Sequence, residues 1–88
     1  MNSPQYFVGI DIAAEEFTAS IFYSHNRIES KGPFQNSLNG FQEFERWLKK
    51  QSVKKTQSAI CMEATGVYGE KLCYWLNAKE FKVAVEPP

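Results

Sequence analysis

Apolar positions along the chain change period twice. Residues 6–13, Tyr6-Phe7-Val8-Gly9-Ile10-Asp11-Ile12-Ala13, form a near-continuous apolar run. That pattern predicts a central strand covered on both faces. Ala14-Glu15-Glu16 reads as a turn, after which Phe17, Ala19, Ile21 and Tyr23 alternate with their neighbours and predict a second strand. Ser24-His25-Asn26 is turn chemistry. A third strand follows over 27–34, limited by Gly32-Pro33, since proline suits an edge strand or a strand end. The spacing then becomes helical. Phe41, Phe44, Trp47 and Leu48 recur with Glu43, Glu45, Arg46 and Lys49 between them, predicting an amphipathic helix over 40–51. Asn39 with Gln42 resembles a capping box, and Lys49 and Lys50 complement the dipole at the far end. A polar connection leads to a buried strand over 57–64. A second helix is predicted over 68–79, with Leu72, Trp75 and Leu76 inward, and a short strand over 81–85.

The predicted order is β-β-β-α-β-α-β, an α/β fold on a mixed sheet. With strand order 3-2-1-4-5, both helical crossovers run the same way. Right-handed crossovers then put both helices on one face. The opposite face has no cover in this sequence, so dimerisation or a later C-terminal helix is expected to cover it. No internal repeat is visible, and 88 residues allow one domain or part of one.

Composition narrows the function classes without choosing among them. Lys plus Arg equals Asp plus Glu, ten each, so the basic excess of a free-standing nucleic-acid binder is absent. Cys61 and Cys73 have no metal-binding spacing; without a secretory signal they read as reduced thiols of a cytoplasmic protein. The start lacks a basic n-region, and no apolar run approaches transmembrane length, so no membrane partner is expected.

Two carboxylates carry the candidate chemistry. Asp11 interrupts an otherwise apolar strand and Glu63 ends another. An acid in such a place is costly unless paired, hydrogen-bonded or bound to metal. In the order above, strands 1 and 4 are parallel neighbours, and the two acids converge at their carboxyl ends, where open α/β sheets place their sites. Two hard oxygen ligands with open positions suit Mg²⁺ or Mn²⁺, and two such ions clamp both oxygens of a displacement at phosphorus. The plainer alternative has Asp11 capping a turn and Glu63 facing solvent.

Several blocks together resemble a known family: Val8-Gly9-Ile10-Asp11-Ile12-Ala13, Phe34-Gln35-Asn36 with Gly40 after it, Met62-Glu63-Ala64-Thr65-Gly66-Val67-Tyr68, and Phe81-Lys82-Val83. They look like the N-terminal catalytic domain of the DEDD transposases of the insertion-sequence 110 family. The Glu-Ala-Thr-Gly block after an apolar strand is the most specific. The resemblance implies an incomplete RuvC-like, ribonuclease H-like domain spanning 1–88. It implies metal-dependent phosphoryl transfer on DNA during insertion-sequence transposition. Asp11 and Glu63 match the first two members of an Asp, Glu, Asp, Asp tetrad as catalytic residues and metal ligands. The last two would follow Pro88, and the chain alone is expected to be inactive. The family further implies Mg²⁺ or Mn²⁺, two ions in the complete site, a serine nucleophile on a separate C-terminal domain, a guide RNA and a homo-oligomer. Two departures stand out: Ala14 where the family commonly has Lys, and Glu80 where it tends to have Gly.

Other residues receive quieter readings. Thr65 and Gly66 either shape the loop beside the metal site or cap a helix. Tyr68 either reaches a nucleic-acid backbone or packs in a first helical turn. Glu15, Glu16 and His25 read as solvated turn residues, the Phe41/Phe44/Trp47 stripe as core, and Lys54 and Lys55 as a solvated loop. Cys61 reads as a buried core thiol and Cys73 as a helix-face residue. Two other functions remain open. One is a nucleotide-binding domain of the actin and sugar-kinase class, against which stand the two glutamates at the turn where phosphates need backbone amides. The other is a non-catalytic interaction module with the same fold.

Overall fold

The computed structural model describes residues 5–24, 26–63 and 67–86. Five strands, β1 (Tyr6–Ile12), β2 (Glu16–Tyr23), β3 (Ile28–Gln35), β4 (Ser58–Glu63) and β5 (Val83–Glu86), form one sheet in the order β3-β2-β1-β4-β5. β1 pairs antiparallel with β2 and parallel with β4. Helices α1 (Leu38–Lys50) and α2 (Glu70–Ala78) make the two crossovers. Both lie on one face, where Phe41 of α1 meets Trp75 of α2 with ring centroids 5.7 Å apart. The expected topology and the single covered face are therefore observed. This mixed five-stranded α/β arrangement is compatible with a ribonuclease H-like domain.

One core fills the covered face. Val8, Ile10 and Ile12 of β1, Phe17, Ala19 and Ile21 of β2, and Ile60 and Met62 of β4 point into it, under Phe44, Trp47 and Leu48 of α1 and Leu72 and Leu76 of α2. Phe44 stands edge-on to Phe17 (5.6 Å) and Phe34 (5.7 Å), a geometry that adds to the burial of each ring. A few aromatics thus do the work of many aliphatics in a small domain. Gly40 is needed where α1 starts. A Cβ there would overlap the Gln35 carbonyl, so the first turn of α1 lies directly on the end of β3.

Both helices end in Schellman motifs. Val53 N–H donates to Leu48 O and Ser52 N–H to Lys49 O; Phe81 N–H donates to Leu76 O and Glu80 N–H to Asn77 O. The motif requires a left-handed residue, filled by Ser52 (φ 62°) and Glu80 (φ 69°) rather than glycine. The departure at Glu80 thus falls on a left-handed position.

The structure corrects several local expectations. α1 begins two residues early, with Ser37 at its N-cap position, so Asn39 and Gln42 lie inside the helix rather than forming a capping box. Ser37 O already accepts the Phe41 N–H, which fixes the first turn there. α2 starts at Glu70, after a turn that includes Tyr68. β3 extends to Gln35, one residue past its expected end, and Gly32-Pro33 lies within it. As an edge strand it tolerates the proline, and the register slips between Phe17 and Ala19, where Gly32 and Pro33 together oppose Thr18. β1 is covered on one face, not two: Phe7 and Asp11 are exposed. Cys61 shares that open face and is half-buried, not a core thiol. The readings of His25, Thr65 and Gly66 lie outside the described residues.

Candidate active site

The backbone dictates where Asp11 and Glu63 go. Side chains alternate across a strand, so burying Ile10 and Ile12 puts Asp11 on the open face, and burying Met62 does the same for Glu63. The parallel register pairs Tyr6 with Ser58 through to Ile10 with Met62. Asp11 and Glu63 are each the next residue on their strands. They therefore sit at the same level of neighbouring strands, which lie ~4.8 Å apart, on the same face. Both are exposed. Asp11 pairs across the sheet with Thr18, and Glu63 with Glu86 of β5. The structure thus brings the two acids predicted from sequence together.

A shallow depression of about 350 Å³ opens there, lined by Gly9, Asp11, Thr18, Ser20, Cys61 and Glu63 among others. Gly9 presents no side chain above the sheet, which keeps its floor low. Neither carboxylate has a hydrogen bond or ion pair among the described residues. Two unpaired hard oxygen donors side by side with open space above them fit a divalent cation in ligand type. They do not complete its shell, and no group of three His, Cys, Asp or Glu side chains able to hold a metal occurs among the described residues.

Sequence reasoning missed one residue of the surroundings. Asn36, just past β3, donates from Nδ2 to Ala13 O (3.2 Å), Ala14 O (3.3 Å) and Tyr68 O (2.9 Å). Its backbone N–H donates to Glu15 O (2.9 Å). It therefore ties the turn after Asp11 to the chain beyond Glu63, at the carboxyl ends of β1 and β4. Its Oδ1 is buried and has no partner among the described residues. The amide reaches residues 22, 23 and 32 positions away, so no local period signals it. Its only trace in the sequence is its place in the Phe34-Gln35-Asn36 block.

The remaining candidates separate clearly. Glu15 and Glu16 are exposed at the turn, and their charge opposes a phosphate there. Tyr68 is 48% exposed, so the first-turn packing reading does not hold for it. Phe41, Phe44 and Trp47 are core, as their spacing predicts. Lys55 is not a free loop cation: Nζ donates to Lys79 O (2.8 Å), approaches Glu45 (3.9 Å) and lies over the Phe81 ring. No helix of the described residues is long and apolar enough to cross a membrane.

Comparison with known proteins points one way. A family model described as a transposase, of DEDD type and insertion-sequence 110 class, matches residues 8–88. The chain is also 34% identical over 82 residues to a pilin gene-inverting protein of Moraxella bovis and, to the same degree, to one of Moraxella lacunata. Each match covers 93% of this chain and 25% of the relative, so the chain spans about a quarter of the length of the curated relatives it matches.

Proposed function

Because this chain belongs to the insertion-sequence 110 class of DEDD transposases, we propose that Asp11 and Glu63 are two carboxylates of a metal-dependent centre for phosphoryl transfer on DNA. The observation that carries this reading is the register: the two acids are level, on adjacent parallel strands, on the one face without helices. The matched relatives are named for inverting a pilin gene, a rearrangement in which DNA strands are broken and rejoined. Phosphodiester exchange of that kind is the chemistry that paired carboxylates with a divalent cation serve.

Asp11 and Glu63 would hold Mg²⁺ or Mn²⁺, two ions in the complete centre. The ion, when bound, neutralises charge at the phosphoryl oxygens and acidifies an attacking hydroxyl. The chain's own part is positional. Rigid neighbouring strands fix the spacing of the oxygens, the open face admits a backbone phosphate, and Asn36 holds the flanking turns in place. With two ligands the chain binds metal weakly and leaves DNA uncut. On family membership alone, the reading extends to a self-associating full-length protein and a guide RNA, with no residue of this chain assigned to either.

The test is a Mn²⁺ titration followed by amide NMR. Paramagnetic broadening is expected at residues 9–12 and 61–63, and Asp11→Asn or Glu63→Gln should each remove most of it. Broadening that is absent, or that survives both substitutions, overturns the assignment.

A further inference from the structure

The equal count of acids and bases conceals a segregation. Asp11 is the penultimate residue of β1, Glu15 lies in the turn beyond it, Glu16 opens β2, Glu63 ends β4 and Glu70 opens α2. Five carboxylates thus gather at one end of the domain. A polyanion is repelled there except where a cation intervenes, so DNA held at that end needs positive charge elsewhere on the surface.

A groove of about 720 Å³ between the edge strand β3 and α1 carries such charge. Lys31 comes from β3, and Arg46 and Lys50 from successive turns of α1; all three are exposed. Glu43 is the one carboxylate lining it, and Ser30 and Gln51 add neutral hydrogen-bonding groups. None of the three cations forms an ion pair among the described residues, whereas Arg27 pairs with Glu29, and Lys55 and Lys79 share Glu45. Arg46 and Lys50 are four apart on the helix, a like-charge spacing that destabilises the free helix. Lysine on an edge strand has a structural use, since it discourages strand addition. Arg46 lies on the helix and serves no such purpose. Three unpaired cations converging on one groove fit a row of phosphates.

We infer that this groove grips the phosphate backbone of duplex DNA and positions it for the carboxylates. The inference rests on the proposed action on DNA but not on the metal centre. Lys31 is level with Ala19 and, through it, with Ile10, the residue before Asp11. It is two strands from β1, ~10 Å in the plane of the sheet, and on the opposite face. A duplex lying at the carboxylates therefore reaches the groove by passing the β3 edge.

Fluorescence anisotropy of a labelled DNA duplex tests this with the 88-residue chain, in EDTA and low salt. Saturable binding is expected, with log affinity falling against log salt at a slope of about −2.7 for three phosphate contacts. The variant K31A/R46A/K50A should weaken binding about tenfold or more and flatten the slope, and R46A alone should reduce the slope by about one. Asp11→Asn/Glu63→Gln, which removes two charges that repel DNA, should bind duplex at least as tightly as the parent, so failure of the metal assignment leaves this result readable. Lys54→Ala/Lys82→Ala, exposed cations outside the groove, should also change little. Three outcomes overturn the inference: no binding; equal loss from the Lys54/Lys82 pair; or an RNA duplex bound in preference to DNA. Thermal unfolding of each variant confirms that it is folded.

Discussion

The two faces of one sheet have been put to opposite uses. On the helix side, β1 contributes Val8, Ile10 and Ile12 to a core with almost no exposed area. On the other side the same strand contributes Phe7, Gly9 and Asp11, and the flanking strands add Phe22, Ser20, Thr18, Cys61 and Glu63. Phe7 pairs with Phe22, and Phe22 with Ile28, so three large apolar side chains lie in register there, each 43–57% exposed. Folding free energy comes from the first face. The second contributes less of it, and carries the two carboxylates of the proposed centre. Substitutions should therefore divide by face rather than by strand.

The sharpest test of that division compares two phenylalanines. Phe44→Ala removes a fully buried ring at the centre of the aromatic cluster and should cost roughly 3–5 kcal/mol, most or all of the margin of so small a domain. Phe22→Ser on the open face, which loses strand propensity and cross-strand contacts with Phe7 and Ile28, should cost only about 1 kcal/mol. Urea unfolding followed by tryptophan fluorescence measures both. Comparable losses would mean that the open face stabilises the fold after all.

Gly40→Ala comes next. The added methyl would overlap the Gln35 backbone, which cannot rotate away as a side chain would, so α1 must lift off the end of β3. Overpacking of this kind costs roughly 1–3 kcal/mol and outweighs the helix propensity that alanine gains. A variant as stable as the parent would show that α1 and β3 have slack at this junction, and with it the frame beside the carboxylates.

Most of the covered face is legible in the sequence because its signals are local. The alternation from Phe17 to Tyr23 and the helical spacing from Phe41 to Leu48 each fix an element and its inward side. The sheet order 3-2-1-4-5 is assumed, and crossover handedness then places both helices on one face. The open face is harder to read. In Ala59-Ile60-Cys61-Met62 every residue is apolar, so nothing local shows that Cys61 faces out while Ile60 and Met62 face in. Asp11 and Glu63 could be picked out because each is a charge in such a run. Their convergence is a matter of register, which follows once β1 and β4 are parallel neighbours. Asn36 could not be found this way, since what it does depends on three carbonyls brought to it by the fold.

Asn36 also lets site and stability be separated. Asn36→Ala removes an amide whose two N–H groups serve three carbonyls, one N–H being shared between Ala13 O and Ala14 O, and should cost roughly 1–2 kcal/mol. The turns at residues 13–15 and 67–69 should exchange amide protons faster while the core of α1 does not. Asn36→Asp retains the shape but loses the donor, and should reproduce the exchange pattern. If protection falls evenly across the domain instead, Asn36 is a general stabiliser and not a tie between the turns that follow β1 and β4.

The smallest effect should have the opposite sign. Glu80 occupies the left-handed position that closes α2, where its Cβ crowds the following carbonyl. Its neighbour Phe81 is buried against the core, and the hydrogen bonds from Phe81 to Leu76 and from Glu80 to Asn77 already commit the backbone to this turn. Glu80→Gly therefore relieves strain without altering any contact of the core, and it also loosens the unfolded chain, which offsets part of the gain. A net stabilisation of about 0.5–1 kcal/mol is expected from the relief of φ strain. Glu80→Ala separates the terms, since alanine keeps the Cβ and loses the carboxylate. Stabilisation by glycine but not by alanine assigns the effect to the backbone, whereas equal gains would assign it to the charge at the helix end. Either way the change lies on the covered side of the sheet, and Mn²⁺ broadening at Asp11 and Glu63 should be unaffected.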